Sequence, residues 1–327
     1  MEIGISISDD IVNDIKDFLR KCGIMHRIFF RGKSIDSLTH KIDSNPGKYS
    51  SDGKKIQDGF GVRVVLYFIE DVKTLKEFII KDCPLMDSFD SISDSEEEYK
   101  EKYNELMNEG RVIPSYESVF QPQRLNFILR MCSERADSFF QDISSALADH
   151  KEYIPLIDST YELQIRSVLS EGWHEVEHDL RYKCKNESFW EYCSDESRTL
   201  NGIYAAIETQ EYALERIFEK MAYMNYKQND WEPMIRNHFR LQLNPYAKLS
   251  INIEEIFNKD NKTAKFIITT PRKELQKALL SIKGAYPLNY DNIVFIANRL
   301  QDKVNKEICG IEPARIKEIL DESISNR

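Results

Sequence analysis

Apolar residues recur along the chain at two spacings, with recognisable breaks between them. In residues 9–22, Ile11, Ile15, Phe18 and Leu19 share one face of a 3.6-residue repeat and predict a helix. Residues 24–30 predict a strand or extended entry, and 34–42 return to helical spacing. Residues 43–55, rich in Ser, Asn, Gly and Lys, predict a polar loop. The branched apolar run 62–69 predicts a buried strand, and 72–81 the helix that packs on it. Strands are again predicted at 125–131 and 161–166, and helices at 135–150, 168–182 and 200–224. Between them, residues 87–115 carry Asp94, Glu96, Glu97, Glu98 and Glu101, which predicts a helical insertion with a solvated acidic face, placed to act as a lid. Beyond residue 226 the segments 231–241, 251–258, 272–282 and 290–304 all favour helix, punctuated by Pro271, Gly284 and Pro287.

This change of character divides the chain into residues 1–225 and a mostly helical module at 226–327, and a length of 327 residues fits two domains. The longest apolar runs are far too short to span a bilayer, and the first residues lack the basic start and apolar core of a secretion signal. Six cysteines without a Cys-x2-Cys pair suggest neither a zinc ribbon nor a disulfide framework, so a cytoplasmic setting is expected. The net charge of −10 argues against broad nonspecific nucleic-acid binding. Residues 262–283 nevertheless gather six basic side chains against Glu274 alone, which reads as a solvated helix face or as a contact for RNA or a protein partner.

The candidate chemistry lies in three separated segments. Arg31, Lys33, Ser37 and Lys41 form a basic group, and Asp58, Gly61 and Arg63 then run into an apolar strand. About a hundred residues later come Glu162, Gln164 and Arg166 on a second strand, followed by Trp173, Glu177, His178, Tyr182 and Lys183. Basic groups combined with two acidic residues suit a site that holds a triphosphate and its neutralising metal ion. A competing pattern, His174-Glu175-Val176-Glu177-His178, satisfies the short His-Glu-x-x-His zinc signature. The charged Glu177 at a position that is normally apolar, and the lack of a downstream histidine extension, speak against it.

In order and spacing, these segments resemble the synthetase domain of the RelA/SpoT family over residues 20–220. The resemblance implies an α+β fold, a nucleotidyltransferase-like mixed β-sheet flanked by helices. It implies transfer of the β,γ-pyrophosphate of ATP to the 3′-hydroxyl of GTP or GDP, with Asp58 and Glu162 as catalytic residues that hold Mg²⁺. Arg31, Lys33, Ser37, Lys41 and Arg63 would bind ATP, and Gln164, Arg166, His178 and Asn126 the acceptor. One family element departs: the Gly-Tyr-x-Ser-x-His loop has only Gln121-Pro122-Gln123-Arg124-Leu125-Asn126 as its counterpart, so its stacking tyrosine is replaced, with Tyr116 a substitute upstream. A short, synthesis-only member is expected. Two alternatives remain beside alarmone synthesis: a toxin that pyrophosphorylates the 3′ end of tRNA, and a catalytically degenerate nucleotide-sensing module. A homo-oligomer, and a regulator bound by residues 226–327, are compatible partners; a membrane is not.

Overall fold

The computed structural model describes residues 3–81, 83, 85–94, 125–182, 193–282, 285 and 287–325. The chain folds as two compact units, one made of Met1–Ile15, His26–Val72 and Leu85–Glu211, the other of Lys16–Met25, Lys73–Pro84 and Tyr212–Arg327.

The first unit is built on a five-stranded mixed sheet. Its strands are β1 (His26–Gly32), β2 (Phe60–Leu66), β3 (Ser88–Asp94), β4 (Leu125–Arg130) and β5 (Thr160–Ser167), in the spatial order β1-β2-β5-β4-β3. Only β2 and β5 run parallel; every other pairing is antiparallel. The helices α2 (Ile35–Asp43), α4 (Ser133–Ala146) and α5 (Val168–Glu177) belong to this unit, while α1 (Ile5–Lys21), α3 (Ile69–Lys81) and α6 (Ser194–Gln228) are divided between the two units. The architecture is therefore the mixed sheet flanked by helices that the sequence implies.

Alternation along the strands gives the sheet one apolar face, because residues at i and i+2 point the same way. Phe60, Val62 and Val64 on β2 lie beside Tyr161, Leu163 and Ile165 on β5, and beyond these come Leu125, Phe127 and Leu129 on β4. All are buried, as are Ile7, Ile11 and Ile15 of α1 and Phe139 and Ile143 of α4. Aromatic rings lock this layer: Phe60 stacks on Tyr161 at 5.3 Å between centroids and meets Phe139 edge-on at 5.4 Å.

Under the apolar layer sits a buried charged network. The Asp87 side chain is 0% exposed and accepts from the Arg135 guanidinium at 2.6 Å, the Tyr161 hydroxyl at 2.9 Å and the Cys132 backbone N–H at 2.9 Å. The same guanidinium reaches Asp10 at 2.6 Å and Asp14 at 3.4 Å. The carboxylate at the start of β3 thus ties together α1, α4 and β5, and its buried charge is tolerated because every side of it is satisfied.

The segment 87–115 departs from the expected helix at its start, where Ser88–Asp94 form β3. A register shift between Phe89 and Ser91 leaves Asp90 as an extra residue. The bulge brings Phe89 and Ile92 into the apolar face at a spacing of three, which in the sequence mimics a helical repeat. The acidic run from Glu96 to Glu101, Tyr116 and the Gln121–Arg124 counterpart loop lie outside the described residues. Residues 168–182 also differ: the α-helix stops at Glu177, and His178–Tyr182 form a π-helical turn.

The second unit is helical, including α7 (Trp231–Phe239), α8 (Ile251–Lys259), α9 (Asn261–Ile267), α10 (Arg272–Ile282), α11 (Tyr290–Arg299), α12 (Lys306–Ile311) and α13 (Ala314–Ser325). Its core includes Met234, Ile235, Phe239, Ile253, Phe257, Leu275, Leu279, Ile293 and Ile296. Trp231 packs edge-on to Phe257 and donates its indole N–H to Asn258 at 2.8 Å. The basic stretch 262–283 is partly spent inside this unit. Lys273 and Lys277 reach Glu77 at 2.7 and 3.3 Å, and the buried Arg272 donates to the Phe239 carbonyl and to Gln276. No described helix is long and apolar enough to cross a membrane.

The Asp87 network sets a stability test. Asp87→Ala removes the buried counter-charge of Arg135, leaving it only Asp10 and Asp14, and also strips the Tyr161 hydroxyl and Cys132 N–H of their acceptor. It is expected to cost about 3–5 kcal/mol, whereas Tyr161→Phe removes one hydrogen bond and costs about 1 kcal/mol. Urea unfolding midpoints measure both, and equal small losses would show that the network carries little.

Candidate active site

The opposite face of the sheet is polar, and the strand register writes it out row by row. Arg31 lies opposite Gly61, Gly61 opposite Glu162, Glu162 opposite Ile128, and Ile128 opposite Ser91. The next row holds Phe29, Arg63, Gln164, Asn126 and Ser93, and after it come Arg27, Val65 and Arg166. Paired residues share a face, so Arg31, Glu162, Arg63, Gln164, Asn126 and Arg166 all project from one side. Gly61 leaves the space between Arg31 and Glu162 unfilled; a Cβ there would stand 3.5 Å from the Glu162 carbonyl and 3.9 Å from its Oε2.

Asp58 stands just ahead of β2, and Glu162 is the third residue of β5. Because β2 and β5 are parallel, both carboxylates belong to the N-terminal end of the same strand pair. Two lysines hold Asp58: Lys33 Nζ at 2.8 Å from Oδ2, and Lys41 Nζ at 2.7 Å from both Oδ1 and Oδ2. Local structure aims them. Lys33 follows β1, Ser34 caps α2 by accepting from the Ser37 N–H, and Leu38 and Ile42 bury the face that fixes the rotation of Lys41's helix. Ser37 therefore acts first on the helix start, with its hydroxyl 2.8 Å from that of Ser34.

Charge in this cluster is mutually stabilised. Partial burial opposes the Asp58 carboxylate, but its bonds to Lys33 and then Lys41 outweigh this and hold its pKa below the usual value. Burial pulls Lys33 below the ordinary lysine value even though Asp58 counters it. For Lys41 burial also works against the charge, but Asp58 wins, with nearby Tyr49 adding, and its pKa rises.

Glu162 accepts from the Gln164 amide at 2.8 Å through Oε2; its Oε1 has no hydrogen-bond partner among the described residues. Gln164 in turn accepts from Arg63 Nε at 2.9 Å. Arg63 extends to Glu171 at 2.7 Å and to Glu175, both on α5. Burial opposes its charge, but the two glutamates outweigh that and raise its pKa. Glu171 is absent from the motif reading, and Glu175 enters it only through the zinc pattern. The signal that could have found them is a pair of carboxylates four apart, one helical turn, directly after the Glu162 strand.

Arg166 is 7% exposed and spends its donors inside the protein, on the carbonyls of Leu125 and Ile165 at 3.0 Å and on Asn126 Oδ1 at 2.9 Å. Burial, and then the like charge of Arg63, push its pKa down to about 10. Arg31 makes no side-chain hydrogen bond or ion pair among the described residues. His178 opens the π-helical turn with Nδ1 3.1 Å from Asp179. His174 is buried edge-on against Trp173 and tilted on Tyr204, while Glu175 reaches Arg63 instead. Among the described residues no group of three or more His, Cys, Asp or Glu side chains could hold a metal ion. Lys183 lies outside the described residues.

The polar sheet face thus carries two carboxylates at one end, with lysines around one of them. Residues 30–187 match the profile described as "Region found in RelA / SpoT proteins". No curated protein matches the chain. Among solved structures, the small alarmone synthetase 2 from Bacillus subtilis is similar at 15% identity and a TM-score of 0.40, covering 64% of this chain and 94% of its own. A GTP pyrophosphokinase family protein from Streptococcus pneumoniae is similar at 15% identity and TM-score 0.40, covering 65% and 85%. The small alarmone synthetase 1 from Bacillus subtilis follows at 14% identity and TM-score 0.40, covering 65% and 89%.

The Asp58 clamp makes a pH prediction. A carboxyl whose native pKa lies below its ordinary value of about 3.9 contributes stability above that value and loses it as pH falls through the native one. The stability gap between wild type and Asp58→Asn should therefore be largest at neutral pH and close below about pH 4. Asp58 is 38% exposed, so the gap should stay under about 1 kcal/mol. Denaturant titrations at pH 7 and pH 3 measure it, and a gap that widens on acidification contradicts the clamp.

Proposed function

We propose that this chain is an ATP-dependent pyrophosphokinase that transfers the β,γ-pyrophosphate of ATP to the 3′-hydroxyl of GTP or GDP. The observation that carries this reading is the placement of Asp58 and Glu162 at the N-terminal end of one parallel strand pair, with Lys33 and Lys41 already on Asp58. The match of residues 30–187 to the RelA/SpoT profile supports a transferase of this type.

Lys33, Lys41 and Arg31 serve the triphosphate. In this structure the two lysines neutralise Asp58, and a triphosphate, with more charge and more acceptor oxygens, draws them onto itself. Asp58, so released, would hold Mg²⁺ together with Glu162. The donor set fits: both are hard oxygen ligands, and Mg²⁺ is commonly held by one or two carboxylates, with substrate phosphates and water completing its shell. When bound, that ion offsets the charge developing on the phosphates.

The reacting hydroxyl oxygen bonds to the β-phosphorus as the bond from that phosphorus to the α–β bridging oxygen breaks, and AMP leaves with that oxygen. Glu162 Oε1, with no partner among the described residues, accepts the hydroxyl proton. Gln164 orients Glu162 through its 2.8 Å bond, and Arg63 orients Gln164. Arg166 and Asn126 act by fixing the β4–β5 pair, on which an acceptor would lie. The lysine pairing with Glu77 leaves the 262–283 stretch a weaker anchor for tRNA than its sequence suggests.

The test is incubation with γ-labelled ATP, Mg²⁺ and a panel of GDP, GTP and deacylated tRNA. Label is expected in the guanine nucleotides; label in tRNA alone would replace the acceptor, and no transfer with ATP still bound would favour a sensing module. Asp58→Ala and Glu162→Ala should each cut transfer by about a thousandfold, the equivalent of about 4 kcal/mol, while leaving the fold intact. Near-normal turnover in either folded variant would sink the assignment.

A further inference from the structure

On the reading of pyrophosphate transfer from ATP, we propose that Phe29, flanked by Arg27 and Arg31 on β1, is the platform on which the purine base of the ATP donor stacks.

Phe29 is 51% exposed, and it is the only large exposed hydrophobic side chain on any described strand. Its register partner is Arg63, so the ring projects from the polar face, in the row next to Arg31 and Glu162 and away from the apolar core. Arg27, Phe29 and Arg31 alternate with Ile28 and Phe30, and the alternation in burial along β1 follows that pattern. The ring makes no aromatic contact among the described residues, and neither arginine makes a side-chain hydrogen bond or ion pair there. A cation, an aromatic ring and a second cation thus stand along one strand, about 7 Å between successive members.

Exposed apolar side chains scattered singly are ordinary on protein surfaces. β1 is also an edge strand, and charged residues on such strands discourage pairing with other chains. That accounts for Arg27 and Arg31 but makes Phe29 harder to understand, since a flat aromatic on an edge is what such protection avoids. A bound base resolves it. Every base offers a π-face to a ring, and arginines on either side attract the phosphates that follow.

The donor, not the acceptor, is the occupant because of what comes next on the chain. Arg31 and Lys33 lie two and four residues beyond Phe29, and Lys33 reaches Asp58, where the triphosphate is placed. A nucleotide with its base on Phe29 runs its phosphates along the strand toward that end. The acceptor's neighbours on this reading, Asn126 and Arg166, stand on β4 and β5, across β2 from Phe29.

Phe29→Ala should raise the KM for ATP about tenfold or more, with kcat and the KM for the guanine nucleotide near wild type. Phe29→Trp should preserve the KM for ATP and report binding directly: its fluorescence, measured against the wild-type background, should be quenched by the unreactive α,β-methylene ATP. A KM for ATP within twofold of wild type in Phe29→Ala would overturn the proposal. So would a rise confined to the acceptor, or an unchanged Phe29→Trp signal at saturating analogue, a readout that remains if the alanine variant fails to fold. If the wild-type protein transfers no pyrophosphate but Phe29→Trp is quenched, the platform stands and the transfer reading falls.

Discussion

The parallel pairing of β2 with β5 fixes everything else in the first unit. Its register sets Gly61 against Glu162, Arg63 against Gln164 and Val65 against Arg166 on one face, and Val62 against Leu163 and Val64 against Ile165 on the other. A slip of one residue would turn Leu163 and Ile165 outward and bury Glu162 and Gln164 among phenylalanines. The hydrophobic layer therefore positions the polar one. Phe60, stacked on Tyr161 and braced by Phe139, specifies where the Glu162 carboxylate on the neighbouring strand will stand.

The two sides of the sheet handle charge differently. On the apolar side Asp87 and Arg135 are closed off completely, so their bonds lend rigidity and nothing else can use them. On the polar side the ion pairs are half-exposed and redundant. Asp58 holds two lysines where one would neutralise it, and Arg63 holds two glutamates. Such pairs contribute little to stability and exchange readily for a more highly charged partner. Arg166 lies between these cases, buried like Arg135 but resting on neutral oxygens, and burial, then the like charge of Arg63, depresses its pKa.

Much of this is legible in the residues themselves. Val62 and Val64 mark a strand by branching and burial, and the spacing of Lys33, Ser37 and Lys41 states that they serve one helix and its entry. The mixed sheet is what the resemblance carried by motif order implies. Other features resist reading because they depend on contacts distant in sequence. Nothing near Phe29 says that its exposed neighbour is Arg63, thirty-four positions on, and a bulge at Asp90 gives a strand the look of a helix. The partnership of Arg63 with Glu171 and Glu175 spans more than a hundred residues and is invisible until β5 delivers α5 onto the sheet. Lys273 and Lys277 read as a solvent-facing charge cluster because Glu77 is almost two hundred positions away.

The strand order has a consequence for the protein's biosynthesis. β5 occupies the centre of the sheet yet is the last of the five to leave the ribosome. Until residues 160–167 emerge, β2 has β1 on one flank and an open edge on the other, and β3 with β4 forms a detached ribbon. Joining them closes a loop of about a hundred residues, a slow step for a nascent chain. Asp58 and Glu162 meet only at that moment. A chain interrupted before β5 carries the lysines and Asp58 but lacks Glu162, so premature termination leaves half of the proposed carboxylate pair unmade.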